Sequence, residues 1–166
     1  MAGFVLDSNI FIQAHRLYYP LDIADSFWTL IKQLARDGKI ISIDKVRDEI
    51  YRNDDDLSTW MKANIPEEFF QSTNDEQYIN ELAILANWAE SRSDHYKRKA
   101  IDEFLEFDRA DAWLISYCKA TNNKLVTSEV SNAAQKSRIP IPQPCNDLGV
   151  EWLNMIEMFR ELGVRF

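Results

Sequence analysis

The chain has little of what several common sites are built from. Its 166 residues include four glycines, Gly3, Gly38, Gly149 and Gly163, which make neither a G-x-G-x-x-G fingerprint nor a P-loop. Nucleotide-binding folds that cradle phosphate on such loops therefore lack support. The two cysteines, Cys118 and Cys145, form no C-x-x-C pair and no zinc set with His15 and His95. Their spacing predicts a buried thiol and a loop thiol, and a reducing, cytoplasmic compartment is the default expectation. No apolar run approaches the roughly 18 residues of a membrane span. Asp7 interrupts the only early apolar stretch, and no basic segment precedes it, so a secretory leader is not expected. Basic residues are the minority, 19 Lys and Arg against 27 Asp and Glu, for a net charge of -8. That balance argues against holding nucleic acid on a broad basic surface. It leaves room for a nuclease whose clustered carboxylates bind cations, and equally for a basic protein partner.

What is present is an alternation of short apolar strands and helical patterns. The length fits one domain over 1–166. Residues 3–7 read as a fully buried strand, followed by a helix from Ser8 to about Tyr18 that Pro20 ends. A helix over about Ala24–Arg36 carries Phe27, Trp28, Ile31 and Leu34 on one face and closes at Gly38. Ile40–Ile43 is the second strand, and Asp44 is placed to cap the next helix, with Val46 and Ile50 on its buried face. The acidic run from Asn53 to Asp56 is read as a solvated turn that caps a short helix, since it lacks the Gly and distal Glu of a calcium hand. Two or three helices cover about 76–106, another spans Ala110–Thr121, and Lys124–Thr127 is a further strand. Ile139-Pro140-Ile141-Pro142 is expected as a short edge strand, because each Pro removes a ladder donor. An amphipathic helix with Trp152, Ile156 and Phe159 finishes the pattern. Together these predict an α/β fold, a sandwich around a small central parallel sheet, with a helix-rich insertion or cap at about 53–106.

Four acids stand out against that frame. Asp7 and Glu129 follow strands directly, Glu49 lies one turn into the helix after the second strand, and Asp111 sits at the edge of the stripe Ala110, Leu114, Tyr117 and Cys118. Each has an ordinary alternative. Asp7 alone suits a turn or N-cap, Glu49 a polar helix face, and Asp111 the dipole of a helix that Asp108 would cap. In an open parallel sheet, however, side chains leaving the carboxyl ends of strands converge on one crevice. Two carboxylates about 4 Å apart repel by roughly 4 kcal/mol at an effective dielectric of 20. Clustered acids therefore take up protons or recruit cations, and all-oxygen ligands suit Mg²⁺ or Mn²⁺. Ser8 and Thr127 are placed to orient such carboxylates by hydrogen bonding, or simply to cap strand ends.

The blocks Val5-Leu6-Asp7-Ser8-Asn9, Asp48-Glu49-Ile50, Ala110-Asp111-Ala112-Trp113-Leu114-Ile115 and Val126-Thr127-Ser128-Glu129 resemble the PIN domain, especially the VapC-like toxin nucleases. With Ile141-Pro142 and Pro144-Cys145 included, the likeness is closest to a less characterised PIN-like subfamily. The blocks run in the family's order along nearly the whole chain. The resemblance implies a three-layer α/β/α sandwich, a Mg²⁺- or Mn²⁺-dependent endoribonuclease of a type II toxin–antitoxin system, and a cognate antitoxin that blocks the site. It also suggests a homodimer. By position it implies that Asp7, Glu49 and Asp111 form an acidic triad that binds metal and catalyses. Glu129 would be the fourth acid, one methylene longer than the Asp frequent there, with Ser8, Asn9, Asp108 and Thr127 in support.

Substrate contacts are sought among nearby cations, which position RNA phosphates without reading sequence. The candidates are His15, Arg16, Arg109, Lys136 and Arg138, each with a solvated-surface alternative. Tyr18, Tyr19 and Trp113 are aromatics able to stack on single-stranded bases, Trp113 equally suiting the core. A haloacid dehalogenase-type phosphatase also begins with Asp after the first strand, but needs a second Asp two residues on, where this chain has Asn9. The remaining rival is a PIN-like module that binds RNA or protein without turnover.

Overall fold

The computed structural model describes residues 3–166. Strand β1 (Phe4–Leu6) leads into α1 (Ser8–Gln13), which loosens into a π-helical turn over Ala14–Tyr18. The wider turn is closed by the Tyr19 N–H donating to Ala14 O at 2.7 Å. Then come α2 (Asp25–Arg36), β2 (Ile40–Ile43), α3 (Asp44–Tyr51), α4 (Asp56–Asn64) and β3 (Phe70–Gln71). The second half holds α5 (Glu76–Ser91), α6 (Arg98–Phe104), α7 (Ala110–Thr121), β4 (Lys124–Val126), α8 (Pro142–Leu148), β5 (Trp152–Leu153) and α9 (Met155–Leu162).

Among the described residues the strands form one five-stranded sheet in the order β3-β2-β1-β4-β5, and every pairing is parallel. Phe4 pairs with Ile40 on one side and Lys124 on the other, which makes β1 the centre. All three β1 residues are buried, as are Ile40, Ser42, Ile43, Leu125 and Val126, so both faces of the sheet are covered. That burial explains why the strands read as unbroken apolar runs. By the right-handed rule for crossovers between parallel strands, the helices between β1, β2 and β3 belong to one face and those leading to β4 and β5 to the other. The expected α/β/α sandwich with a small parallel sheet is what the chain adopts. The two directions of winding part at β1 and β4, the switch point where such sheets open a crevice.

Several local expectations need correction. Ile139–Pro142 is not a strand: Pro142 is the first residue of α8, a position where a missing N–H costs nothing and a fixed φ helps. The edge strands are instead β3 and β5, each two residues long and too short for any alternation to register. Trp152 belongs to β5 rather than to the last helix. Asp44 does not cap α3; it is the helix's first residue, and its carboxylate accepts from the Thr73 N–H and hydroxyl at 3.1 and 2.8 Å. Asp55 does cap α4, accepting from the Ser58 N–H at 3.0 Å. Cys145 is no loop thiol but a buried residue of α8, and burial pushes its pKa up to about 12. The stretch 53–106 is helix-rich, and it also supplies β3 and the helix α5 that packs on α7. Among the described residues no helix is long and apolar enough to cross a membrane.

Candidate metal centre

Asp7 leaves β1 at the switch point with its backbone fixed: its N–H donates to Val126 O of β4 at 2.9 Å. The side chain is 1% exposed. Its Oδ2 accepts from the Thr127 hydroxyl at 3.2 Å, and its Oδ1 lies 3.3 Å from Ser8 Oγ. Ser8 stands nearer to Glu49 Oε2, at 2.9 Å. A hydroxyl carries one hydrogen, so the shorter contact takes it, and Ser8 bridges a carboxylate at the end of β1 to one on α3.

Glu49 has a second engagement. Its Oε1 accepts from the Ala110 N–H at 2.6 Å, at the first residue of α7. Arg109 occupies the N-cap position of α7 but makes no side-chain cap, and the expected cap from Asp108 is not formed. The helix is thus capped from a neighbouring element by a charge of the sign its dipole favours. This brings Asp111, in the first turn of α7, into the same crevice. Arg109 Nη2 lies 3.9 Å from Asp111 Oδ2.

The electrostatics follow from this crowding. Burial, then the charges of Asp111 and Glu49, raise the Asp7 pKa from 3.8 to about 7, against hydrogen bonds from Thr127 and the Ser8 backbone. Asp111 is also raised, chiefly by burial, with Arg109 opposing, Glu49 adding to the shift and Arg138 opposing. Three of the four predicted acids are therefore one electrostatic cluster.

Glu129 is held apart. Its Oε2 accepts from the Ile141 N–H at 2.6 Å, its Oε1 forms an ion pair with Arg138, and its own N–H donates to Thr127 Oγ1 at 3.1 Å. Both carboxylate oxygens have protein partners. The loop after β4 is tied by this residue to the start of α8.

The crevice above the triad is a cleft of about 220 Å³ lined by Ser8, Glu49 and Asp111, with Arg52, Arg109 and Arg138 around them. Asn9 and Asp108 also line it. Asp108 is exposed there, its Oδ2 3.9 Å from Arg52 Nη1. In kind and charge the donor set fits Mg²⁺ or Mn²⁺, which bind through a few carboxylates and keep several waters. The side chains do not form a closed cage: among the described residues no three His, Cys, Asp or Glu groups are disposed to share an ion. The reason is visible in the contacts above, where Ser8, Thr127 and the Ala110 N–H hold the carboxylates of Asp7 and Glu49, and Arg109 stands beside Asp111.

The remaining candidates disperse. His15 lies on the π turn with its Nδ1 buried and unpartnered, outside the cleft lining, and Arg16 beside it is exposed. Lys136 is an exposed loop residue whose carbonyl accepts from the Lys97 N–H at 2.9 Å. Trp113 belongs to the core, its Nε1–H donating to Phe107 O at 3.0 Å. Tyr19 stacks on Phe27 at 4.3 Å, whereas Tyr18 is exposed. Arg52 was not anticipated, although it follows Glu49 by three residues, a spacing that puts both on one helix face.

A family model described as "Domain of unknown function (DUF4411)" matches residues 4–166. No curated protein matches the chain. Among solved structures, the crystal structure of VapBC2 from Rickettsia felis bound to a DNA fragment from their promoter is similar at 12% identity, covering 91% of this chain and 97% of that one, with a TM-score of 0.47.

Proposed function

The chain belongs to the DUF4411 family, and we propose that it hydrolyses RNA phosphodiester bonds with Mg²⁺ or Mn²⁺ held by Asp7, Glu49 and Asp111. One observation carries this reading: the carboxylates of Asp7 after β1, Glu49 on α3 and Asp111 on α7 form one electrostatic cluster at the switch point of a parallel sheet. Asp7 is buried, and Glu49 and Asp111 line a cleft beside Arg52, Asp108, Arg109 and Arg138. A bound ion would lower the pKa of water and offset negative charge developing at phosphorus.

The chain's own residues do the positioning. Asp7 presents its carboxylate from a fixed backbone, with the Thr127 hydroxyl setting its orientation. The Ser8 hydroxyl, next to Asp7, donates to Glu49 and fixes that side chain. Arg109 and Arg138 face the cleft as donors for phosphate oxygens, the guanidinium fork matching that geometry. Glu129, with both oxygens engaged, acts through Arg138 and holds it over the cleft. The toxin role, the cognate antitoxin, a homodimer and a cytoplasmic setting extend the proposal from the PIN resemblance of the sequence.

A second reading has one observation in its favour. Hydrogen bonds hold the Asp7 and Glu49 carboxylates, no ready-made cage exists among the described residues, and a binding module that has lost turnover would look similar. RNA cleavage by the purified wild type and Asp7→Asn, with Mn²⁺ and with chelator, separates the two. Cleavage by the wild type alone, abolished by chelator, is the expected result. Equal cleavage by both proteins would sink the mechanism, and no cleavage of any RNA tried would favour the module.

A further inference from the structure

The acidic cleft has a neighbouring concavity at each of two places on its rim. It shares Arg52 and Asp108 with a groove of about 630 Å³ that also holds Lys45, Tyr51, Phe107 and Asp48, whose carboxylate is paired with Arg47 at 3.0 Å. It shares Asn9 with a groove of about 210 Å³ whose lining includes Gln13, Tyr18 and Ser128. The three concavities are thus neighbours that meet at Asn9, Arg52 and Asp108.

The first groove has an unusual combination of groups. Phe107 is a large aromatic ring 70% exposed, standing edge-on to the buried Trp113 with centroids 5.4 Å apart. Lys45 Nζ lies over both rings, 4.7 and 5.1 Å from their centroids. Arg52 is held by backbone rather than by a carboxylate: its Nε donates to Asp48 O and its Nη2 to Asp108 O, each at 3.2 Å. Its nearest carboxylate oxygen, on Asp108, is 3.9 Å away. Carbonyl partners fix the guanidinium without cancelling its charge. An exposed ring next to two cations, one of them at the lip of an acidic cleft, suits a base that stacks and a phosphate that follows it. A duplex would bury its base faces in its own stack and gain nothing from Phe107.

Building on the nuclease reading, we propose that this groove binds single-stranded RNA flanking the scissile phosphate, with Phe107 stacking on a base and Arg52 and Lys45 holding backbone phosphates. The strand then crosses the acids and leaves past Asn9 toward the exposed Tyr18. A strand laid along these three concavities would present an internal phosphodiester bond to the acids, in keeping with internal cleavage.

The test is fluorescence anisotropy of a labelled, roughly ten-nucleotide single-stranded RNA in chelator, so that binding is read apart from turnover. Phe107→Ala and Phe107→Leu should each weaken binding about tenfold, given roughly 1–3 kcal/mol for stacking one base. The leucine variant keeps an apolar cover over Trp113, so its loss reports stacking rather than folding. Arg52→Ala should weaken binding and flatten the log–log salt dependence by about 0.7, the share of one phosphate on a single strand. Unchanged affinity in the Phe107 and Arg52 variants would overturn the proposal. So would a loss confined to a protein partner, or equal losses for duplex RNA. Phe107-dependent binding with no cleavage by any form would leave the groove standing and remove the nuclease. Asp7-dependent cleavage with Phe107-independent binding would do the reverse.

Discussion

Asp7 shows how far one residue's meaning depends on its neighbours. Alone it is a turn former after a strand; beside Glu49 and Asp111 it is a buried acid held far from its ordinary titration range. Its pKa is about 7 in the folded chain against an ordinary 3.8, so between those pH values the folded chain keeps a proton that the unfolded chain has released. The metal-free protein should therefore lose stability as pH rises from about 4 to 7 and level off above, by an amount on the order of a few kcal/mol. Asp7→Asn cannot make that transition and should be the more stable protein at pH 8 in chelator, with little advantage at pH 4. Urea unfolding across that range checks it, and parallel pH profiles for the two proteins would refute it. Asp7, Glu49 and Asp111, singled out in the sequence, lie in one crevice of the fold. What the sequence did not show is how Glu129 is drawn off, because its partners are Arg138 on a loop and the N–H of Ile141, in a stretch read as an edge strand that instead leads into α8.

At the scale of elements, Glu49 is the joint between α3 and α7. Its carboxylate caps α7 at Ala110 and accepts from Ser8, so removing the whole side chain strips a cap as well as a charge. Glu49→Ala should cost about 1 kcal/mol of stability, the usual worth of a helix N-cap. Glu49→Gln keeps an acceptor for the Ala110 N–H and should unfold near the wild type, yet lose divalent-cation affinity as the alanine variant does. Denaturation midpoints together with metal titrations distinguish these effects; a glutamine variant as unstable as the alanine one would contradict the cap. The elements legible in the sequence were those with length or punctuation. The helix α2 showed its stripe, Asp55 its cap, and Asn122 its left-handed stop at φ 56°. The strands β3 and β5 are two residues each and exist only through pairing with β2 and β4. Pro142 misled because a proline that forbids an inner strand equally well begins a helix.

Across the whole molecule, a net charge of -8 coexists with a cleft where Arg52, Arg109 and Arg138 stand among Glu49, Asp108 and Asp111, and with a neighbouring groove that holds Lys45. On the proposed nuclease role, the excess acid elsewhere would keep nonspecific nucleic-acid binding low, while the local cations would give phosphate a place to bind. The fold accounts for that concentration: parallel strands converge at one end, and the switch between β1 and β4 opens the crevice there. The central claim is that this crevice holds a divalent cation through Asp7, Glu49 and Asp111. It is tested most directly by calorimetric titration of Mn²⁺ into the wild type and Asp7→Asn at neutral pH. Saturable binding by the wild type and its loss in the variant is the expected result; equal uptake by both proteins, or none by either, would contradict it.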